Sequence, residues 1–267
     1  MDIPTFDTKK ELFDFLITNK DKIIASKKAV IKHGASVPFD LVMPGKAQAV
    51  KSIAKADNLV EEVAVKAIIN TTNILDSHGD VHLPGIWNKS LKENRYVMHL
   101  QEHEMKFDHI ISEGEDLKVS AKKYTWKELG FNFEGETEAL VFDSVVKRSN
   151  NQLMFDRYKN KKVKNHSVGM QYVKLMLAIN NDDYPTEKEI WDKYYPEIAN
   201  KEAADAAGFF WAVKEARLIE GSAVPIGSNY ATPTLEPDDS TPKNNQIEPP
   251  TGTQQIDLVK LSKLLKL

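Results

Sequence analysis

Cysteine is absent from all 267 residues. That excludes disulfides, thiolate nucleophiles and cysteine-bound zinc, so any nucleophile here must be a side-chain oxygen or a metal-bound water. Long apolar runs are missing too. Nothing approaches the roughly 18 consecutive apolar residues of a membrane span, and the opening MDIPTFDTKKELFDFL has no basic segment leading into an apolar one. A soluble, intracellular protein without a membrane partner is expected. Nor is charge of one sign in excess: 36 Lys and Arg stand against 39 Asp and Glu, net −3, with the signs interspersed. Such a surface has no electrostatic footprint for nucleic acid. The expected partner is a protein or a small molecule.

What is present reads as one enzyme-sized unit with appendages. Leu12, Phe13, Phe15 and Leu16 share part of a helical surface behind Asp7 or Thr8, which predicts a helix over 8 to 20. From Val63 the stretch VAVKAIINTTNIL is rich in β-branched residues and ends at the turn signal DSHGD. Further strands are expected at 96 to 100, 117 to 124, 138 to 146 and 167 to 179, and helices at 151 to 160 and 186 to 206. The elements do not alternate as a parallel βαβ fold requires. The expected fold class is α+β, an antiparallel barrel or strongly curved sheet with a few flanking helices. After Thr232 the composition changes to TPTLEPDDSTPKNNQIEPPTGTQQ, with five prolines and no apolar run, which predicts a disordered tail. It ends in IDLVKLSKLLKL (256 to 267), a short helix with one apolar face suited to docking on a partner. The expected division is a helical lead over 1 to 62, a catalytic domain over 63 to 232 and a tail over 233 to 267.

Three segments carry chemistry: VMHLQEHEMKFDHI (97 to 110), KNHSVGMQYVK (164 to 174) and ARLIEGSAVPIGSNYAT (216 to 232). A base-activated serine needs a hydroxyl, an imidazole and a carboxylate that fixes the imidazole's tautomer. His103, Ser167 and Glu220 are the candidates. Seven histidines occur, and a serine opening an apolar strand is ordinarily a hydrogen-bonding residue, so context has to carry the choice. Gly169 beside Ser167 would let a substrate backbone approach, and a strand would hold the hydroxyl rigidly.

A competitor lies in the same segment, because His99-x-x-Glu102-His103 has the letters of an inverted zinc-peptidase motif. Zinc needs both imidazoles on one helical face. Tyr96, Val97, Met98 and Leu100 favour a strand instead, and in a strand residues i and i+4 lie roughly 13 Å apart, too far to share one ion. The metal reading stays as the alternative, beside a non-catalytic assembly or scaffolding protein. No metal or cofactor is expected.

Taken together, DSHGDVHLPGIWNKSL (76 to 91), His103 followed by Glu104, LMFDRYKNKKVKNHSVGMQYV (153 to 173) and LIEGSAVPIGSNYAT (218 to 232) resemble the prohead, or capsid-maturation, proteases of tailed bacteriophages. The resemblance covers about 63 to 232. It departs from the family pattern at Val168 and Met170, at Gly221 in place of valine, and at Ile226-Gly227-Ser228-Asn229 in place of a Pro-Ala-Asn ending. The lead over 1 to 62 is long for the family.

The resemblance implies a serine peptidase related in fold to herpesvirus assemblin, an antiparallel β-barrel wrapped by helices. His103, Ser167 and Glu220 match the family's catalytic histidine, serine and third member, with His109 or His166 as alternative orienters, since related viral enzymes use a second histidine. It also implies scaffold and major capsid proteins as substrates, cleavage of the enzyme's own chain, a homo-oligomer, and a place inside the assembling prohead in the host cytoplasm.

Overall fold

Thr8 and Glu11 open the first helix, α1 (Lys9–Thr18), through a reciprocal capping box. The Thr8 hydroxyl accepts from the Glu11 N–H at 3.2 Å, and the Glu11 carboxylate accepts from the Thr8 N–H at 3.3 Å. In the computed structural model, which describes residues 6–31, 61–93 and 95–235, a second helix follows directly, α2 (Lys20–Ala29). One helix over 8 to 20 was expected. Leu12, Phe13, Leu16 and Ile23 are buried in the same apolar core as the strands that follow, so these helices are part of the fold rather than an appended lead.

The two helices are also tied down by charge. Lys27 is 2 % exposed at its side chain, and its Nζ lies 2.5 Å from Oδ1 of Asp80, which is fully buried. The other Asp80 oxygen accepts from the Tyr172 hydroxyl at 2.7 Å. Removing one member of a buried pair strands the other charge in a poorly solvating interior, at about 3–5 kcal/mol. Lys27→Met is therefore expected to lower the unfolding free energy by about that amount, read as a shift in the urea midpoint. A midpoint within error of the parent would mean that the pair contributes nothing.

Strands dominate the remainder: β1 (Glu62–Thr71), β2 (Asp80–His82), β3 (His99–Gln101), β4 (Ile110–Ser112), β5 (Leu117–Thr125), β6 (Glu136–Lys147), β7 (Asn165–Ile179), β8 (Phe209–Val224) and β9 (Thr234–Leu235). Helix α3 (Asn88–Glu93) precedes β3, α4 (Gln152–Lys159) precedes β7, and α5 (Pro185–Tyr194) and α6 (Lys201–Ala207) join β7 to β8. The class is α+β, as expected. One sheet has the order β5-β6-β1-β9, antiparallel throughout. In the other, β8 is central. β7 runs antiparallel along its whole length, while β2 and β3 lie parallel to it on the opposite edge, at 211–213 and 221–223, with β4 beyond β3.

The sheets meet across one main core, to which the first contributes Ile69 and Phe142 and the second Val168, Leu177, Trp211 and Val213. They come close at Gly221, where an added Cβ would lie 2.5 Å from the Phe142 ring and 2.9 Å from Ile69. That contact explains why glycine stands where the resemblance has valine.

Several expectations need correction. Among the described residues the ladders form two sheets and no closed ring, and two short pairings are parallel. The helix expected over 186 to 206 is split, because Pro196 sits in a 3₁₀ turn (Tyr195–Glu197) that separates α5 from α6. The domain does not stop at 232: Thr234 and Leu235 pair with Ala67 and Lys66 as β9. The disordered stretch expected beyond, and the terminal helix at 256 to 267, lie outside the described residues.

Candidate active site

β3 ends in a tight turn that sets the position of His103. The Gln101 carbonyl accepts from the Glu104 N–H at 3.1 Å, and both central residues have positive φ, 54° at Glu102 and 61° at His103. That is the type I′ pattern, usually filled by Asn and Gly. A side chain in the left-handed region costs about 1–2 kcal/mol, so two in succession must be held by their surroundings. The Glu102 N–H donates to the Ala223 carbonyl at 3.0 Å, prolonging the pairing with β8. The His103 N–H donates to the Ser222 hydroxyl at 3.1 Å.

So placed, the imidazole meets Glu220. His103 Nδ1 lies 2.6 Å from Glu220 Oε1, with side-chain exposures of 9 % and 0 %. With a carboxylate on it, Nδ1 carries the proton, and the lone pair falls on Nε2, as a general base requires. The second carboxylate oxygen accepts from the Ser222 hydroxyl at 2.6 Å. Glu220 is thus held by two bonds in a place where an unpartnered carboxylate would not remain charged.

Ser167 stands on β7 directly opposite Ser222, and Gly169 directly opposite Glu220. Facing residues of an antiparallel pair share a sheet face, as do residues i and i+2 of one strand. Ser167, Gly169, Glu220 and Ser222 therefore lie on one face, with the His103 ring bound to its carboxylate. Ser167 is 6 % exposed.

The space beside Gly169 is used otherwise than expected. A Cβ there would sit 1.9 Å from Glu220 Oε1. The missing side chain makes room for the carboxylate, not for a substrate backbone.

His99 and His166 are committed elsewhere. His99 is fully buried, its Nδ1 2.9 Å from the Ser144 hydroxyl and its Nε2 3.1 Å from the Tyr158 hydroxyl. His166, next to Ser167 and hence on the opposite face, bonds Tyr158 through Nε2 at 3.0 Å and the Thr232 carbonyl through Nδ1 at 3.0 Å. Neither it nor His109 supplies the group on His103 Nδ1, which is Glu220. The metal alternative loses its geometry as well. Residues 99–101 are strand and 102–103 turn, and among the described residues no third carboxylate or imidazole joins His99 and His103 in a metal-sized cluster.

Asp76, His78 and Asp80 do converge, with ligand atoms within 4.8 Å of one another. Lys27 and Tyr172 already occupy the Asp80 carboxylate, and Asp76 Oδ1 accepts the N–H groups of His78 and Asp80 at 2.8 and 2.9 Å. This trio is a turn lock beside a buried cation, a poor host for a second positive charge.

Burial pushes His99 down to about 3, helped by His166 and opposed by Glu220, and pushes His166 down to about 4 against its bond to Thr232. Both rings are neutral in the fold. The unfolded chain takes up protons near the ordinary value of 6.5, so folding is favoured above that pH and loses ground as pH falls toward 4. The urea midpoint is expected to decline steadily over that interval. A flat profile would mean that the folded rings accept protons as readily as the unfolded ones.

Ser222 was not singled out from the sequence, although Glu220-x-Ser222 on a strand places both side chains on one face. Comparison with protein-family models, with curated proteins and with solved structures finds no match to this chain.

Proposed function

We propose that the chain is a serine endopeptidase acting in maturation of a phage prohead, with Ser167 as nucleophile, His103 as general base and acid, and Glu220 as the carboxylate that fixes the imidazole. The observation that carries this reading is the fully buried Glu220 held 2.6 Å from His103 Nδ1, on the sheet face that also bears Ser167. A buried carboxylate costs several kcal/mol in lost hydration. Pairing it with a largely buried imidazole beside a strand hydroxyl has an evident use in base-activated nucleophilic attack.

In the proposed reaction, Ser167 Oγ attacks the scissile carbonyl carbon while its proton passes to His103 Nε2. The resulting imidazolium is stabilised by Glu220. It returns the proton to the leaving amine as the peptide C–N bond breaks, which leaves an acyl-serine. Water then attacks the acyl carbon as its proton passes to His103, and His103 returns that proton to Ser167 Oγ as the ester C–O bond breaks and the carboxylic acid leaves. Met105 and Phe107, both exposed and within four residues of His103, offer apolar surface to a substrate side chain.

Kinship with the prohead proteases and assemblin, scaffold and capsid segments as substrates, self-cleavage, a homo-oligomer and a place inside the prohead all belong to the same proposal. They rest on the resemblance of the four quoted segments. Incubating the purified chain with a fluorophosphonate and mapping the adduct by mass spectrometry is the direct test. The adduct is expected on Ser167 and should be indifferent to chelators. Cleavage of a scaffold polypeptide that chelation stops, with Ser167 unlabelled, would replace the serine mechanism by a metal-dependent one.

A further inference from the structure

Ser222 makes two contacts that no other side chain of the site combines. Its hydroxyl donates to Glu220 Oε2 at 2.6 Å and accepts from the His103 N–H at 3.1 Å. The residue is fully buried. One hydroxyl therefore touches both the carboxylate and the backbone of the residue that carries the imidazole. Although Ser222 faces Ser167 across the β7/β8 pairing, its proton is committed to Glu220 and the group is closed to solvent, so it is no second nucleophile.

Each contact removes a freedom that the pair would otherwise keep. The terminal torsion of a glutamate is broad, so a carboxylate bonded through Oε1 alone can swing about that bond. Fastening Oε2 to Ser222 stops the swing. His103 has a left-handed backbone conformation, with φ at 61°, and its N–H would lose its acceptor if Ser222 lacked the hydroxyl. The rest of the pocket is shaped to this arrangement, because Gly169 leaves only the room that the carboxylate fills.

We propose that Ser222 is a positioning residue: its hydroxyl locks the Glu220 carboxylate and the His103 backbone into one geometry, and so aims the imidazole at Ser167. The catalytic part of this inference rests on the peptidase reading. The geometric part does not.

The test is Ser222→Ala in the full chain, with Ser222→Cys, which keeps an atom at the γ position but only a weak donor and acceptor, as the second variant should alanine loosen the strand. Two readouts are taken. The first is the ¹⁵N and low-field ¹H resonance of the His103 Nδ1–H, identified by its loss in His103→Gln. It is expected to shift or broaden in both Ser222 variants. The second is steady-state cleavage of a peptide that the parent cleaves. Here kcat is expected to fall by roughly 10²-fold, the scale of a misplaced catalytic group, with KM unchanged. In a Glu220→Gln background the same Ser222→Ala change should add little, because the group through which it acts is already disabled.

An unshifted Nδ1–H signal, an unchanged kcat, or a full additional loss in the Glu220→Gln background would overturn the assignment. If the parent neither cleaves peptides nor takes up a fluorophosphonate, the peptidase reading fails. The resonance alone then decides whether Ser222 holds the pair.

Discussion

Ser167→Ala is expected to abolish peptide cleavage, lowering kcat by about six orders of magnitude, while the protein unfolds at nearly the same temperature as the parent. The substitution takes away one oxygen from a residue that is 6 % exposed and leaves the β7/β8 pairing intact, since that pairing is made by backbone. With no hydroxyl for His103 to deprotonate, the remaining groups can only bind and polarise substrate, so a small residual rate is all that is left to them. Fluorophosphonate uptake should vanish together with cleavage. Undiminished cleavage in a preparation free of contaminating peptidase would remove Ser167 from the mechanism.

Gly169→Ala is expected to be nearly as damaging, for a reason that has nothing to do with glycine's backbone freedom. The new methyl carbon would lie 1.9 Å from Glu220 Oε1, 2.7 Å from Cδ and 2.9 Å from Cγ. A side-chain end can ordinarily swing away from such an intrusion. Here it cannot do so without losing its bonds to His103 and Ser222. The methyl group and the His103–Glu220 contact are therefore mutually exclusive. Stability should fall by about 1–3 kcal/mol, as for other overpacked sites, and turnover by up to about 10⁴-fold, the effect of losing a properly placed carboxylate behind a catalytic imidazole. Thermal unfolding together with kcat separates the two effects, and a Gly169→Ala protein with parental turnover would contradict the proposed role of Glu220.

Much of the fold is legible where burial alternates or where runs are long. The bounds of β5, β6 and β7 fall within two residues of the ranges read from sequence, and those of α4 likewise. β8 is the main omission, and its burial explains why. Phe209, Phe210, Trp211, Ala212 and Val213 are all buried, so the strand opens without the period of two that marks a half-exposed strand. Lys214, Glu215 and Arg217 then interrupt it with charge. β2 and β4, at three residues each, are too short for any period to show, and β3 takes up only the end of the strand expected at 96 to 100. β2 and β3 pair with β8 and β4 pairs with β3, partnerships that local sequence does not describe.

The site was legible in a similarly divided way. His103, Ser167 and Glu220 could be chosen by chemical type and by resemblance. The structure joins His103 to Glu220 and puts Ser167 on their sheet face. The type I′ turn at Glu102 and His103 was hidden because neither residue is one that such a turn favours. The use of Gly169 was misjudged because which strand lies opposite it is a matter of register, and register is set by tertiary pairing.

The central position of β8 carries a consequence for timing during synthesis. It is the last of the long strands to be made, and β7, β2 and β3 all take their places in the second sheet by pairing with it. His103 and Ser167 are therefore both translated before β8, which carries the carboxylate that holds His103, is there to pair with β3 and β7. A nascent chain that has not yet delivered residues 209–224 holds two of the three groups at unrelated positions. Whatever the site does, it stays silent until the sheet closes around its middle strand.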